Sequence, residues 1–275
     1  HFGIEETMAF RIECVAVLGA GVMGSAIAAH LANAGVPSFL LDIVPLELSE
    51  EDRRKGLTRE SPSFRNRLAA RGLETALKAS PPSFFSPKDA SLITTGNIED
   101  HLGWLSQADW IVEAVAERPG IKQALFAKVE ANRKPGSFVS SNTSGIPILA
   151  LAEGRSQEFR QRFLGTHFFN PPRYMKLLEL IPGPETLPEV MQAMAEFGER
   201  ALGKGIVFAK DTPNFIANRI GTFGLFTVMR IMIEGDYSVE EVDRLTGPAI
   251  GRPKTATLRT ADLVGLDTVA HIASN

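Results

Sequence analysis

The stretch that decides the fold is "IECVAVLGAGVMGSAIAAHLANAGVPSFLLDI", residues 12–43. Residues 12–18 are short, apolar and β-branched, which is typical of a buried parallel strand. The Ala-rich segment 22–34 has helical periodicity and is followed by Gly35, and residues 38–41 form a second apolar run. A glycine just after the last periodic residue is a common helix stop. The stretch therefore predicts a strand–helix–strand unit with two parallel strands.

The turn after the first strand carries three glycines, Gly19, Gly21 and Gly24, in the spacing G-x-G-x-x-G. In this pattern the first glycine permits a tight turn, the second lets the backbone approach a pyrophosphate, and the third lets the helix pack closely. The helix N-terminus offers N–H groups and a partial positive charge to an anion. We therefore predict a dinucleotide site; the alternative is a glycine-rich turn that only packs, and FAD enzymes share the pattern.

Asp42 ends the second strand, 18 residues after Gly24. An acidic residue there accepts hydrogen bonds from the ribose hydroxyls and repels a 2′-phosphate. Ile43 and Val44 follow and provide no arginine for such a phosphate, so the sequence favours NAD over NADP. The predicted cofactor-binding residues of this unit are Gly19, Ala20, Gly21, Val22, Met23, Gly24, Asp42 and Ile43.

The bulk composition excludes several classes of protein. The chain has 275 residues, 44% of them hydrophobic and 22% charged, which is enough to build a folded core. A net charge of -3 without clustered basic residues predicts no nucleic-acid partner, and the longest apolar run is too short to predict a membrane partner. The single cysteine, Cys14, fits a reducing cytoplasm, and we place it in a buried strand as a packing residue. We assign no metal site.

Two further strands are predicted over residues 109–115 and 138–141, and polar residues follow each of them. Ligands of parallel α/β sheets bind at the carboxyl ends of the strands. Glu117 and Lys122 flank the helix start after the strand at residues 109–115. They either belong to a ligand site at this strand end or form an ordinary surface ion pair. Residues 142–144, Asn-Thr-Ser, follow the second strand, and either face the cofactor or only cap a helix.

A histidine and a glutamate lie in two further predicted strands, "RFLGTHFF" (162–169) and "KLLELI" (176–181). The connection "NPPRYM" is too short for a parallel crossover, so the strands should form an antiparallel hairpin. If Arg173 is central, His167 and Glu179 oppose each other on one face. A carboxylate that accepts from one ring nitrogen orients the ring and leaves the other nitrogen to take a proton. The alternative is a purely structural pair, which the neighbouring dinucleotide unit disfavours.

Four motifs in order, "GAGVMGSAIA", "SNTSGI", "GTHFFNPP" with a glutamate twelve residues after the histidine, and "KGIVFAKDTPNFIANRI", together resemble the 3-hydroxyacyl-CoA dehydrogenases of fatty-acid β-oxidation. The resemblance extends from about residue 15 onward. The segment "TGPAIGRPKTATLRTADLVGLDT" is most similar to the N-terminal part of the long bacterial type. The chain is therefore expected to be a fragment of a larger protein.

The resemblance implies an activity and roles for matching residues. The activity would be NAD-dependent oxidation of (S)-3-hydroxyacyl-CoA to 3-ketoacyl-CoA, with His167 as general base and Glu179 orienting it. The substrate oxygens would be bound by Ser144, Asn170 and Asn218, and Ser144 and Asn218 would count among the catalytic residues. The further cofactor contacts implied are Ala116, Glu117, Lys122 and Asn142.

The sequence departs from the family in two places. Residues 117–120 are Glu-Arg-Pro-Gly where the family usually has Glu-Asn, but the glutamate and Lys122 keep their positions. The serine and lysine that hold CoA in mitochondrial-type members have no clear match, and Ala76 occupies the serine position. CoA docking is therefore expected to be remade through Arg65, Arg67 or Lys78.

The expected architecture is α/β, a Rossmann-type NAD-binding domain with a mostly parallel sheet and an antiparallel hairpin, plus a truncated all-helical C-terminal domain. Residues 1–11 are predicted to be a leader or vector remnant, 12–209 the dehydrogenase domain, and 210–275 an incomplete substrate and dimerisation domain. Residues 214–234 are apolar on nearly all sides, which predicts an interface and a homodimer through the C-terminal helices. An acyl-CoA substrate is the expected small-molecule partner. The alternatives are a non-catalytic dinucleotide-binding protein and a dehydrogenase of another small hydroxy acid.

Overall fold

The computed structural model describes residues 11–266 and 269–270 of the chain. The chain divides into two compact units, His1–Asp211 and Thr212–Asn275, whereas the sequence-based boundary lies between residues 209 and 210. The leader predicted over residues 1–11 lies outside the described residues apart from Arg11.

Within the described residues, the first unit is built on one eight-stranded sheet with the strand order β3-β2-β1-β4-β5-β6-β7-β8. Every neighbouring pair in this sheet is parallel except β6–β7, which is antiparallel. The predicted Rossmann-type fold with one antiparallel hairpin is therefore confirmed. The strands are β1 (Val15–Leu18), β2 (Ser38–Asp42), β3 (Ile93–Asn97), β4 (Trp110–Glu113), β5 (Phe138–Ser141), β6 (Phe163–Phe168), β7 (Leu177–Pro182) and β8 (Gly205–Phe208).

Several helices of the first unit begin at residues that favour a helix start. Ser49 forms a capping box with Asp52, and a proline occupies the first turn of three helices, a position that needs no backbone N–H. The helices are α1 (Val22–Asn33), α2 (Glu50–Arg54), α3 (Pro62–Arg65), α4 (Arg67–Leu77), α5 (Pro119–Asn132), α6 (Ile148–Leu151), α7 (Gln157–Gln161) and α8 (Pro188–Arg200).

The core follows the central strands β1, β4, β5 and β6, in which every residue is buried. Strands buried on both faces need continuous apolar runs, and these four strands are mostly apolar. The largest buried side chain, Trp110, satisfies its ring N–H by donating to Ser140 Oγ at 2.9 Å. The polar side chains that interrupt these strands lie mainly near their carboxyl ends, where the candidate site is found.

Cys14 differs from the sequence-based expectation. It is half-buried and precedes β1, because the strand begins only at Val15. Burial and the nearby Asp109 carboxylate raise the pKa of the thiol, so Cys14 is a poor nucleophile at neutral pH.

The described part of the second unit is helical and consists of α9 (Ala217–Glu234), α10 (Val239–Thr246) and α11 (Leu258–Val264) with a short 3₁₀ turn at Pro248–Ile250. This confirms the predicted all-helical C-terminal unit for the residues described. Several apolar side chains of α9, such as Phe223 and Ile233, are exposed. No helix in the described part of the chain has both the length and the apolar character that a bilayer span requires.

Candidate active site

The glycine turn between β1 and α1 has the geometry that its spacing predicts. Gly19 has φ +102°, and a Cβ there would lie 2.6 Å from the carbonyl oxygen of Ala114. A Cβ at Gly24 would lie 1.8 Å from the carbonyl oxygen of Gly19, so both positions exclude a side chain. At Gly21, the N-cap of α1, a Cβ would meet no described atom within 4 Å. This open space at a helix N-terminus suits the approach of a phosphate group.

A cleft of about 560 Å³ lies beside this turn and includes Asp42 in its lining. The Asp42 carboxylate accepts hydrogen bonds from the backbone N–H of Ala20 at 2.6 Å and of Ile43 at 2.7 Å, which holds it against the glycine turn. The size of the cleft and an acid at the end of β2 fit the adenosine half of NAD. Other predicted cofactor residues at this edge are Ala116, which lines the cleft, Val22, which is exposed, and Met23, which is half-buried.

Lys122 and Glu117 are not an ordinary surface pair. Lys122 is only 1% exposed, and its ammonium lies 2.6 Å from Glu113 Oε1 and 3.0 Å from Glu117 Oε2. Burial acts to raise the pKa of Glu117, but the Lys122 charge and hydrogen bonds from Thr143 and Ser144 outweigh it and hold that pKa below its ordinary value. Glu117 therefore remains ionised at neutral pH.

The sequence left open whether residues 142–144, Asn-Thr-Ser, face the cofactor or only cap a helix. In the structure the three side chains have different contacts. The Thr143 hydroxyl donates to Glu117 Oε1 and accepts from the backbone N–H of Ile146 at 3.0 Å, so it organises the turn before α6. Asn142 Oδ1 accepts from the backbone N–H of Phe168 at 2.9 Å, which ties β5 to the end of β6. Only the Ser144 side chain turns toward the histidine.

The hairpin β6–β7 places His167 directly opposite Glu179 in the strand register. His167 Nδ1 lies 2.7 Å from Glu179 Oε2, and both side chains are buried. Ser144 Oγ lies 3.2 Å from His167 Nε2. With an ionised Glu179, Nδ1–H is the donor and Nε2 carries the lone pair, so the arrangement can accept a proton at Nε2.

The remaining predicted substrate residues lie in different elements. Asn170 is exposed and lies two residues after the end of β6, three residues from His167. Asn218 belongs to the second unit, in the first turn of α9, where it lines a cavity of about 360 Å³ within that unit. The predicted substrate contacts of both residues stay predictions.

The basic residues expected to hold CoA are engaged in ion pairs. Arg65 contacts Asp100 at 2.5 Å, Arg67 contacts the buried carboxylate of Asp52, and Lys78 contacts Glu74 at 2.5 Å. Each of these cations therefore already has an acidic partner, and none of the three is an uncompensated site for a phosphate.

The sequence interpretation missed Glu113, a carboxylate at the carboxyl end of β4, close to the predicted cofactor residues Glu117 and Lys122. Glu113 is fully buried, and its Oε2 accepts from Ser141 Oγ at 2.6 Å. The available signal was an acidic residue within the apolar run "DWIVEAV"; like Asp42 in β2, Glu113 is the last residue of its strand.

The glycine turn, the cleft and the strand-end acid together define a Rossmann-type NAD-binding protein, with a buried His–Glu pair on the same sheet. Residues 14–212 match the sequence model described as "3-hydroxyacyl-CoA dehydrogenase, NAD binding domain", and residues 215–275 match "3-hydroxyacyl-CoA dehydrogenase, C-terminal domain". The chain belongs to the 3-hydroxyacyl-CoA dehydrogenase family, which confirms the resemblance seen in its motifs.

Individual relatives agree with this assignment. The chain is 57% identical to a "Probable 3-hydroxyacyl-CoA dehydrogenase" of Bacillus subtilis, over 96% of this chain and 34% of the relative. It is 49% identical to a protein of the same name from Deinococcus radiodurans, over 96% of this chain and 72% of the relative. The crystal structure of (S)-3-hydroxybutyryl-CoA dehydrogenase PaaH1 from Ralstonia eutropha superimposes with a TM-score of 0.73 at 28% identity, over 95% of this chain and 86% of that one. The chain thus spans about a third of the Bacillus relative.

Proposed function

We propose that this chain is the dehydrogenase part of a protein that oxidises (S)-3-hydroxyacyl-CoA to 3-ketoacyl-CoA with NAD in fatty-acid β-oxidation. The observation that carries the proposal is the buried His167–Glu179 pair, with Ser144 at Nε2, on the sheet that also holds the glycine turn. The names of the relatives and of the superimposed structure support the same substrate class.

His167 is the proposed general base. Bound NAD supplies the acceptor for the hydride that leaves C3 of the substrate. As the carbonyl forms, the 3-hydroxyl proton moves to His167 Nε2, and the buried Glu179 carboxylate stabilises the resulting imidazolium through Nδ1–H. Because Glu179 also fixes the ring orientation, Nε2 points toward Ser144 before the substrate binds.

Ser144 is the proposed substrate anchor of the first unit. Its hydroxyl lies 3.2 Å from His167 Nε2, so one substrate oxygen placed between them can contact both groups. A donor at the reacting oxygen stabilises the charge that develops there and lowers the barrier. Asn170 and Asn218 are proposed as further hydrogen-bond partners of the substrate.

The cofactor-binding residues are assigned by their place at the carboxyl ends of the parallel strands. We assign the pyrophosphate to the turn from Gly19 to Gly24 and the adenosine ribose to Asp42 and Ile43, with Ala116, Glu117, Lys122 and Asn142 on the nicotinamide side. Support comes from the open space at Gly21 and from the cleft beside it.

Three broader assignments belong to the proposal. Residues 12–209 form the NAD-binding domain, and residues 210–275 form a helical domain that contributes to substrate binding and dimerisation. The exposed apolar side chains of α9, such as Phe223 and Ile233, support a homodimer through the C-terminal helices. A single cysteine in the chain supports a cytoplasmic location.

The test follows the loss of NADH absorbance with acetoacetyl-CoA, with free acetoacetate as the control substrate. We expect consumption with the thioester alone, and we expect His167→Gln to abolish turnover while NADH binding stays near normal. NADH consumption at equal rates with both substrates would indicate a dehydrogenase of small hydroxy acids. Tight NADH binding without any turnover would indicate a non-catalytic dinucleotide-binding protein.

A further inference from the structure

Glu113 is a fully buried carboxylate that the proposed chemistry does not use. It is the last residue of β4, and the three residues before it in the strand are apolar. An isolated buried carboxylate costs several kcal/mol, so such a group is stable only where donors surround it. Its surroundings therefore indicate what it holds in place.

Three donors converge on the Glu113 carboxylate. Oε1 accepts from Lys122 Nζ at 2.6 Å and from the backbone N–H of Val115 at 2.6 Å, and Oε2 accepts from Ser141 Oγ at 2.6 Å. Burial raises the pKa of Glu113, while Lys122 and Ser141 act in the opposite direction. All three of these contacts come from donors, so the geometry matches the ionised form of the carboxylate.

Lys122 links Glu113 to Glu117 by contacting both carboxylates. Its ammonium lies between the two carboxylates, at 2.6 Å from Glu113 and 3.0 Å from Glu117, and it also donates to the carbonyl of Val115 at 3.4 Å. A buried ammonium with partners on both sides has little freedom to move. Glu117 therefore has a fixed cation on one of its oxygens.

Glu117 in turn contacts the backbone of Ser144, the residue beside His167. Its other oxygen, Oε1, accepts from the Thr143 hydroxyl and from the backbone N–H of Ser144 at 2.9 Å. The Ser144 hydroxyl lies 3.2 Å from His167 Nε2. A continuous run of polar contacts thus extends from Glu113 through Lys122, Glu117 and Ser144 to the histidine.

We propose that Glu113 is a positioning residue that fixes Ser144 beside His167 through Lys122 and Glu117. The inference rests on the proposed function, since it assigns a task to Ser144 in that reaction. Without the Glu113 carboxylate, Lys122 loses its shortest contact, and the Lys122–Glu117 pair can shift together with the Ser144 backbone. Small displacements of a group that orients the substrate lower turnover strongly.

The variants separate geometry from charge. Glu113→Ala removes both acceptors, and we expect a loss of kcat of about 10- to 100-fold from misplacement of Ser144. Glu113→Gln keeps an amide oxygen for Lys122, and its NH₂ can donate to Ser141, so we expect it to recover most of that loss. Glu130→Ala is the matched control, because Glu130 lies on the same helix as Lys122 but pairs with Arg155 instead.

A double-mutant cycle with Ser144→Ala tests whether the effect passes through Ser144. In that background we expect Glu113→Ala to cause almost no further loss of kcat, because the displaced hydroxyl is already gone. An equal loss in both backgrounds would overturn the proposal and leave Glu113 with a general structural role. If Glu113→Ala does not fold, the same cycle is run with Glu113→Gln, for which we expect a smaller loss that also disappears without Ser144.

A second readout does not depend on turnover. The imidazole nitrogen resonances of His167, assigned by comparison with His167→Gln, should shift in Glu113→Ala and stay unchanged in Glu130→Ala. An unshifted Nε2 resonance in Glu113→Ala contradicts the positioning role even if acetoacetyl-CoA proves not to be a substrate. If the unmodified chain is active but the losses of kcat from Glu113→Ala and Ser144→Ala simply add up, this inference is overturned and the proposed function stays intact.

Discussion

Replacement of Glu179 by glutamine probes the charge of the His167–Glu179 pair with little change in shape. Glu179 is 0% exposed, and its Oε2 lies 2.7 Å from His167 Nδ1. A glutamine side chain has the same size, and its amide oxygen can accept from Nδ1–H. Glu179→Gln should therefore keep the ring in place while it removes the negative charge behind it.

The magnitude follows from the charge that His167 gains when it accepts the proton. Hydrogen bonds to a charged group contribute ~1.5–3 kcal/mol, compared with ~0.5–1.5 kcal/mol for neutral pairs, so the smallest expected loss is about 1 kcal/mol. Two unit charges about 4 Å apart interact by ~4 kcal/mol at an effective dielectric constant of about 20, which sets the largest. With a tenfold rate change for each ~1.4 kcal/mol, kcat should fall between roughly 5-fold and 10³-fold.

The assay measures steady-state rates with acetoacetyl-CoA and NADH, and with 3-hydroxybutyryl-CoA and NAD, across a range of pH. Removal of the negative charge next to the proposed base should move the pH profile of the oxidation. NADH binding should stay near normal, and Glu189→Gln, an exposed glutamate on α8, serves as the control. A lowered kcat with an unmoved pH profile would show that Glu179 only supports the structure, and an unchanged kcat would refute the reasoning altogether.

Three further variants test the cofactor turn and the core. Asp42→Ala should weaken NAD binding and reduce discrimination against NADP in fluorescence titrations, and unaltered affinity would place the ribose elsewhere. Gly24→Ala should prevent folding or abolish NAD binding, because its Cβ would lie 1.8 Å from the Gly19 carbonyl oxygen, and a normal circular dichroism spectrum with normal affinity would contradict this. Burial, and then the nearby Lys204 charge, lower the pKa of His30 from 6.5 to about 4, so the unfolded chain binds that proton more tightly. Stability should therefore fall by up to ~3 kcal/mol as the pH drops from 6.5 to 4, and urea titrations should show a smaller fall for His30→Gln.

The sequence by itself determined those features that depend on neighbours along the chain. The strand–turn–helix unit follows from a short apolar run and from glycines whose backbone geometry excludes other residues. The pairing of His167 with Glu179 follows from a connection too short for anything but a hairpin, centred on Arg173. In both cases the local chain geometry allows few alternatives, so pattern and spacing suffice.

Only the tertiary structure decided how the strand ends meet. In the sequence, Glu113, Lys122 and Ser141 are a strand acid, a helix lysine and a strand serine with no visible connection. They form one buried group because β4 and β5 are adjacent and α5 brings Lys122 to Glu113. The neighbouring pair β5–β6 likewise brings Ser144 Oγ within 3.2 Å of His167 Nε2. Parallel strands far apart in sequence become neighbours through backbone hydrogen bonds along their edges and through the helices that cover the sheet. Residue spacing along the chain therefore does not show which side chains lie within hydrogen-bonding distance.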